Sequence, residues 1–184
     1  IYKNLGDLQG EGTALHYNGL VLYVAARYEE CIEKCGEAVQ ILERAGDVWE
    51  ENIARYHVAA SHYRLGNLAT AAAEAKHVYQ SGIEIGDIQA SGIALDLLVR
   101  ATGKISAEAL EIELEHVRYD VQGTAQVKLA GGVRLLMLDR PAEAAAFLGS
   151  SLQDVEKTDV KNAWTFPLRT WLASALRREA EKAA

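Results

Sequence analysis

The sequence predicts an all-α chain built from stacked helix pairs, and three observations carry that expectation. The dipeptide Gly-Asp occurs at Gly6-Asp7, Gly46-Asp47 and Gly86-Asp87, at an interval of 40 residues both times. Small and apolar residues between these markers recur at helical spacings of three and four. Proline occurs only at Pro141 and Pro167, too rarely for a strand-rich sandwich cut by turn residues. The 184 residues are 49% hydrophobic and 24% charged, which supplies a core and argues against disorder.

The elements follow in order. Asp7 to about Arg27 is apolar at helical spacing through Leu15, Leu22 and Ala26. Tyr28 to about Ala45 reads as the second helix of the pair. Gly46 suits the position after a helix, where a left-handed backbone costs glycine least. Asp47 then suits the N-cap of the next helix, its carboxylate accepting from a free backbone N–H. Gly86-Asp87 repeats the device, and Gly123-Thr124 and Thr158-Asp159 read as weaker versions. Inside each pair, Leu65-Gly66-Asn67 marks a tight turn, with Thr102-Gly103-Lys104 and Asp139-Arg140-Pro141 in the matching places. Pro141 fits the first helical turn, where its missing N–H is not needed.

A shift along the chain keeps more than the markers. Tyr28, Cys31, Ile32, Cys35, Ala38 and Val39 fall onto Leu68, Ala71, Ala72, Ala75, Val78 and Tyr79 at +40. At +113 they fall onto Pro141, Ala144, Ala145, Leu148, Ser151 and Leu152. The units therefore read as 7–46, 47–86, 87–123 and 124–158, followed by a terminal helix over 159–182. Tyr28 to Gly46, Leu68 to Gly86 and Ile105 to Gly123 each span 18 positions, so the second helix is expected to keep its length. The third first-helix is about one turn shorter, since Gly86 to Gly103 is 17 where Gly46 to Gly66 is 20. Its partner is out of register, with Leu110, Leu114, Val117 and Val121 as an alternative packing stripe. In the terminal helix Trp164, Leu168, Trp171, Leu172, Ala175 and Leu176 read as the inward face, and Pro167 predicts a kink or a late start.

These spacings resemble the tetratricopeptide repeat, in its longer variety of about 40 residues. The small residue at the crossing of the two helices is matched by Gly19, Ala59 and Gly132. The turn, an apolar residue and then a small one are matched by Arg27-Tyr28-Glu29-Glu30-Cys31, Asn67-Leu68-Ala69-Thr70-Ala71 and Arg140-Pro141-Ala142-Glu143-Ala144. The usual proline at the end of the second helix is absent, with Gly-Asp in its place. The resemblance spans roughly residues 7–178 and implies a right-handed α-α superhelix, a solenoid of about four pairs plus a C-terminal helix, forming one repeat domain. It implies the setting of large cytoplasmic signalling proteins, and the chain, opening without Met and on what reads as the tail of a second helix, is expected to be a piece of one.

The resemblance also implies a concave groove lined by the first helices, suited to a bound peptide or helix. By the family's geometry its lining is Thr13, His16, Leu20 and Tyr23, then Ile53, Tyr56, Ala60, Tyr63 and Arg64. Ala90, Ile93, Leu97 and Arg100 follow, and then Gln126, Leu129, Val133 and Leu136. Tyr and Arg are common interface anchors, although each tyrosine equally suits ordinary inter-helix packing. The expected partner is a protein or peptide, from another chain or a flanking domain of the same one, with self-association through apolar end faces as a further option. The alternative is a small-molecule-sensing or intramolecular regulatory domain that controls a flanking catalytic domain.

Other functions find less support. A net charge of −7, with Arg177-Arg178 as the only adjacent basic pair, disfavours a nucleic-acid surface. No run approaches the ~18 apolar residues of a membrane span. Cys31 and Cys35, four apart, read as buried hydrophobes, not metal ligands, and Cys31 falls on the family's small buried position. His16, His57, His62, His77 and His116 form no His-Glu-x-x-His motif, and no acid, base and nucleophile converge, so neither an enzyme nor a cofactor is expected. Gly131-Gly132 reads as close helix packing. Glu108, Glu111, Glu113 and Glu115 read as a solvated face.

Overall fold

The computed structural model describes residues 2–158, 160 and 162–183, and among these there are helices and turns but no strand. The helices are α1 (Tyr2–Leu5), α2 (Leu8–Val24), α3 (Tyr28–Ala45), α4 (Val48–Arg64), α5 (Leu68–Ile85), α6 (Ile88–Thr102), α7 (Ala107–Glu115), α8 (Val121–Met137), α9 (Pro141–Glu156) and α10 (Pro167–Ala183). They form two compact units, Ile1–Leu97 and Leu98–Ala184, with α6 passing from one to the other. In the first, α2, α3, α4 and α5 pack each against the next, and α2 also touches α4. In the second, α7 packs on α8, α8 on α9, and α10 on both α9 and α8.

The Gly-Asp markers are helix joints with one geometry. Gly6, Gly46 and Gly86 sit at φ +71°, +72° and +72°, the left-handed backbone that favours glycine. The next residue's N–H closes back on the preceding helix: Asp7 onto Tyr2 O at 3.2 Å, Asp47 onto Leu42 O at 3.0 Å, Asp87 onto Gly82 O at 2.8 Å. The same aspartates then cap the following helix. Asp7 accepts from Gly10 N at 2.9 Å, Asp47 from Glu50 N at 3.2 Å, and Asp87 from Gln89 and Ala90 N, both at 3.0 Å. The turns within pairs use the left-handed region too, at Ala26, Gly66 and Asp139.

Small residues let the paired helices approach. A Cβ on Gly19 would lie 2.2 Å from Cys35 Sγ and 3.3 Å from the Cys35 nitrogen. On Gly132 it would lie 2.2 Å from Leu148 Cδ2, and on Gly131 2.8 Å from Phe147. Ala59, in register with Gly19, is fully buried. Cys31 and Cys35 are free, fully buried thiols 3.9 Å apart, as expected of the small inner positions. Cys31 beside it, with burial adding, pushes the Cys35 thiol above its ordinary range.

The third unit departs from expectation. The helix expected over Ile105–Gly123 spans only Ala107–Glu115, and α8 begins at Val121, before the expected boundary at 123/124. Asp120 is its N-cap and accepts from Gly123 N at 2.5 Å, so Gly123 lies inside the first turn and follows no helix. The link 116–120 is held by an ion pair between Glu113 and Arg118, whose side chains are almost wholly buried. His116 joins it, Nδ1 lying 3.4 Å from Glu113 Oε2. Glu113 is thus no part of a solvated face. Of the alternative stripe Leu110 is buried, whereas Leu114 and Val117 are exposed.

The terminal helix starts late, at Pro167. Asn162 Oδ1 orders the approach by accepting from Trp164 N and Thr165 N, both at 3.1 Å. Asp159, part of the weak expected joint, lies outside the described residues. Leu168 and Ala175 face inward as expected, but Leu176 is exposed. Arg178 Nη1 donates to Leu136 O at 3.1 Å and Lys182 Nζ to Asp139 O at 2.6 Å, placing cations at the C-terminal end of α8.

Gly19→Ala should destabilise the protein by about 1–3 kcal/mol through overpacking. Gly36→Ala, with nothing within 4 Å of the new Cβ, should stabilise α3 by about 0.5–1 kcal/mol. Urea titration of the two variants would check the opposite signs. Glu113→Ala should cost about 3–5 kcal/mol, because it strands a buried guanidinium; a thermal transition within a degree of the parent's would contradict this.

Candidate functional site

The residues assigned to a groove on α2 and α4 come together, but mostly below the surface. His16, Tyr23 and Tyr56 are buried. Leu20 and Tyr63 are half-buried and Arg64 is exposed. Elsewhere Ile93, Gln126 and Leu129 are buried and Arg100 is half-buried. The expected open lining is therefore, at eleven of its seventeen positions, packed interior, and in the first unit the surface keeps Thr13, Leu20, Ile53, Tyr63 and Arg64.

The interior has a defined centre that sequence reasoning passed over. His57, one of the five histidines that form no motif in the sequence, lies among three residues of the expected groove. Its ring centroid is 5.2 Å from that of His16, 5.7 Å from Tyr23 and 5.4 Å from Tyr56. The two tyrosines meet it edge-on, the arrangement their quadrupoles favour. Tyr23 also meets Tyr28 at 5.7 Å. The signal was present in the repeat register, since α4 carries His57 where α2 carries Tyr17, one position beyond the Tyr56–His16 match.

Hydrogen bonds fix the proton positions. His16 Nδ1 lies 3.1 Å from Glu50 Oε2, His16 Nε2 lies 3.3 Å from His57 Nδ1, and His57 Nδ1 lies 2.9 Å from Ile53 O. A carboxylate only accepts, so His16 Nδ1 carries hydrogen and donates to Glu50. A neutral His16 then accepts at Nε2, and His57 Nδ1–H is shared between that nitrogen and the Ile53 carbonyl. The chain is consistent only with a neutral His16, since a proton on its Nε2 would face the His57 N–H. Burial accordingly lowers the pKa of His16 despite Glu50 beside it. Burial, with the His16 charge adding, lowers His57 to about 4.

Chemically this arrangement ties α2 to α4 by a directional, pH-dependent seam. Above it, Arg64 Nε donates to Tyr23 OH at 3.4 Å, joining the surface to the interior. Among the described residues no group of three or more His, Cys, Asp or Glu side chains is placed to hold a metal ion. No described helix is long and apolar enough to cross a membrane. No protein-family model matches the chain, and no curated protein matches it.

The seam predicts a pH dependence. Between the ordinary imidazole value of 6.5 and about 4, the unfolded chain binds a proton at His57 that the folded chain does not. Stability should therefore fall as pH drops through that window and show no further loss from His57 below it. Urea unfolding at pH 7.5 and pH 5 would show the slope. His57→Gln should flatten it, and an equal slope in that variant would assign the effect elsewhere.

Proposed function

We propose that this chain is a non-catalytic protein-interaction module whose 40-residue helix pairs are of the tetratricopeptide-like kind. The first unit takes a peptide or helix against Leu20, Tyr63 and Arg64. The observation that carries this reading is the contrast between the rim and its bed. Arg64 is exposed, while His16, Tyr23, Tyr56 and His57 beneath it are buried and mutually packed. A rim held on a rigid interior loses little conformational entropy on binding. Tyr63 and Arg64, successive on α4, suit a ligand with a carboxylate and an apolar group. The repeated joint geometry supports the family reading independently of the rim.

The alternative, sensing of a small molecule, finds one feature in the second unit. A cavity of about 200 Å³ is lined by Arg118, Tyr119, Asp120, Thr124, Lys128 and Asp154 among others. That is below the ~300–1,000 Å³ of ordinary ligand pockets. Its polar groups are also engaged: Lys128 Nζ donates to Asp154 at 2.8 Å and the Thr124 hydroxyl to Asp120 O at 2.9 Å. Interaction through the first unit is the better-supported reading.

Selection of a displayed random-peptide library on the protein would test it. Enriched ligands should carry an acidic group beside an apolar one, and Arg64→Glu should weaken them about tenfold or more while costing the fold no more than the single Tyr23 hydrogen bond, about 1 kcal/mol. Equal binding by Arg64→Glu and Tyr63→Ala would remove the rim from the proposal.

A further inference from the structure

The joint between α3 and α4 carries a second surface feature of the first unit. An open recess of about 450 Å³ lies there, lined by Gln9, Asp47, Val48, Trp49 and Ile85 among others. Its size falls in the ~300–1,000 Å³ range of ordinary binding sites. Whole helices bound it: the starts of α2 and α4 and the ends of α3 and α5. Trp49 departs from the repeat, whose 40-residue register puts Gln9 on α2 and Gln89 on α6 at the same position. Gln9 serves the joint by donating from Nε2 to Asp47 Oδ2 at 2.7 Å, whereas Trp49 is 56% exposed. Val48 and Ile85 beside it are exposed as well. Spacings of three and four place Trp49 on the face of α4 that continues through Ile53, Tyr56 and Ala60. Arg64 stands at the other end of that helix, about 22 Å away, so the recess is separate from the rim proposed above.

The charge around this recess is negative. Ala45 and Ile85, the last residues of α3 and α5, both line it, and a helix C-terminus carries partial negative charge. The two helix starts there are already capped by the carboxylates of Asp7 and Asp47. Glu43 and Glu84, in the last turns of α3 and α5, are exposed. Helix ends of this kind favour cations, yet α5 has no basic residue in its last turn and α3 has Arg44. At these two ends Glu43, Asp47 and Glu84 thus stand against one guanidinium, around an exposed indole, the ring that attracts a cation most strongly. We propose that the recess is a docking site for a basic segment of a partner protein. A Lys or Arg side chain lies over the Trp49 ring, and an apolar neighbour packs against Val48 and Ile85. The cation supplies at the end of α5 the positive charge that this helix lacks. A second copy of this chain fits poorly, since each copy carries a net charge of −7. The proposal does not rest on the rim, whose ligand has the opposite charge.

The probe is the peptide acetyl-Leu-Arg-Leu-Arg-Leu-amide, beside a counterpart with Glu in place of both Arg. Calorimetry reads the affinity, and the Trp49 indole N–H resonance reads the place. The basic peptide should shift that resonance and bind about tenfold more tightly than the acidic one, or better. Trp49→Gln, which restores the residue that α2 and α6 hold, should keep native circular dichroism and weaken the basic peptide about tenfold or more. Glu84→Lys should weaken it about threefold or more while the melting temperature holds or rises, because the new cation suits the end of α5. A merely structural role for Glu84 would lower the melting temperature instead. Arg64→Glu should not weaken the basic peptide, which separates the recess from the rim. Equal affinity for the two peptides, or an affinity unchanged by Trp49→Gln, would overturn the proposal. Tetramethylammonium chloride shifting the Trp49 resonance at the peptide's own concentrations would replace the peptide by a small cation. A dimer of the free protein that is lost on Trp49→Gln would overturn the choice of partner.

Discussion

The close approach of α2 and α3 at Gly19 and Cys35 is the constraint on which the rest of the first unit depends. Without a Cβ on Gly19 the backbones come near enough for α3 to bury Cys31, Cys35, Ala38 and Leu42 completely. A helix so deeply set touches both of its neighbours. Cys35 Sγ lies 4.0 Å from the His16 carbonyl on α2, and Cys31 Sγ the same distance from the His57 carbonyl on α4. The separation of α2 from α4 is thereby fixed, and with it the span that the two imidazoles bridge. Packing of this density leaves no slack for a one-atom change.

The imidazole pair adds direction to that packing. Apolar contacts between α2 and α4 would tolerate a small rotation of either helix, whereas the chain from Glu50 through His16 and His57 to Ile53 fixes both the rotation and the tautomers. The exposed side chains above inherit that precision. Arg64 reaches Tyr23, Tyr23 abuts His57, and His57 is held by the α4 backbone four residues earlier.

What was legible in the sequence was what local chemistry decides. Gly46-Asp47 and Gly86-Asp87 ended and started helices because a left-handed glycine and a capping carboxylate need only neighbours in the chain. Gly19 and Gly132 were legible as crossings only through the resemblance, whose small crossing position they fill. The third unit misled where two local signals competed. The repeat interval favoured a joint at Gly123, but Asp120 is the better cap, and Glu113 with Arg118 had already turned the chain. Exposure was the least legible property. His16, Tyr56 and Gln126 are polar enough to face a groove, yet neighbouring helices bury them, and no spacing along one helix reports what its neighbours cover.

The joints have a consequence for how such a chain changes length. At Gly46-Asp47 and at Gly86-Asp87 a helix is closed and the next is opened by the same two residues, with no further partner required. A cut between either glycine and its aspartate leaves the cap with the following helix but takes from the preceding one the aspartate N–H that closes it. A 40-residue cassette duplicated or excised there regenerates the identical junction, while one residue added or lost within a helix rotates every later side chain by about 100°. Growth in copy number is thus the inexpensive edit for this architecture, and drift in unit length the costly one.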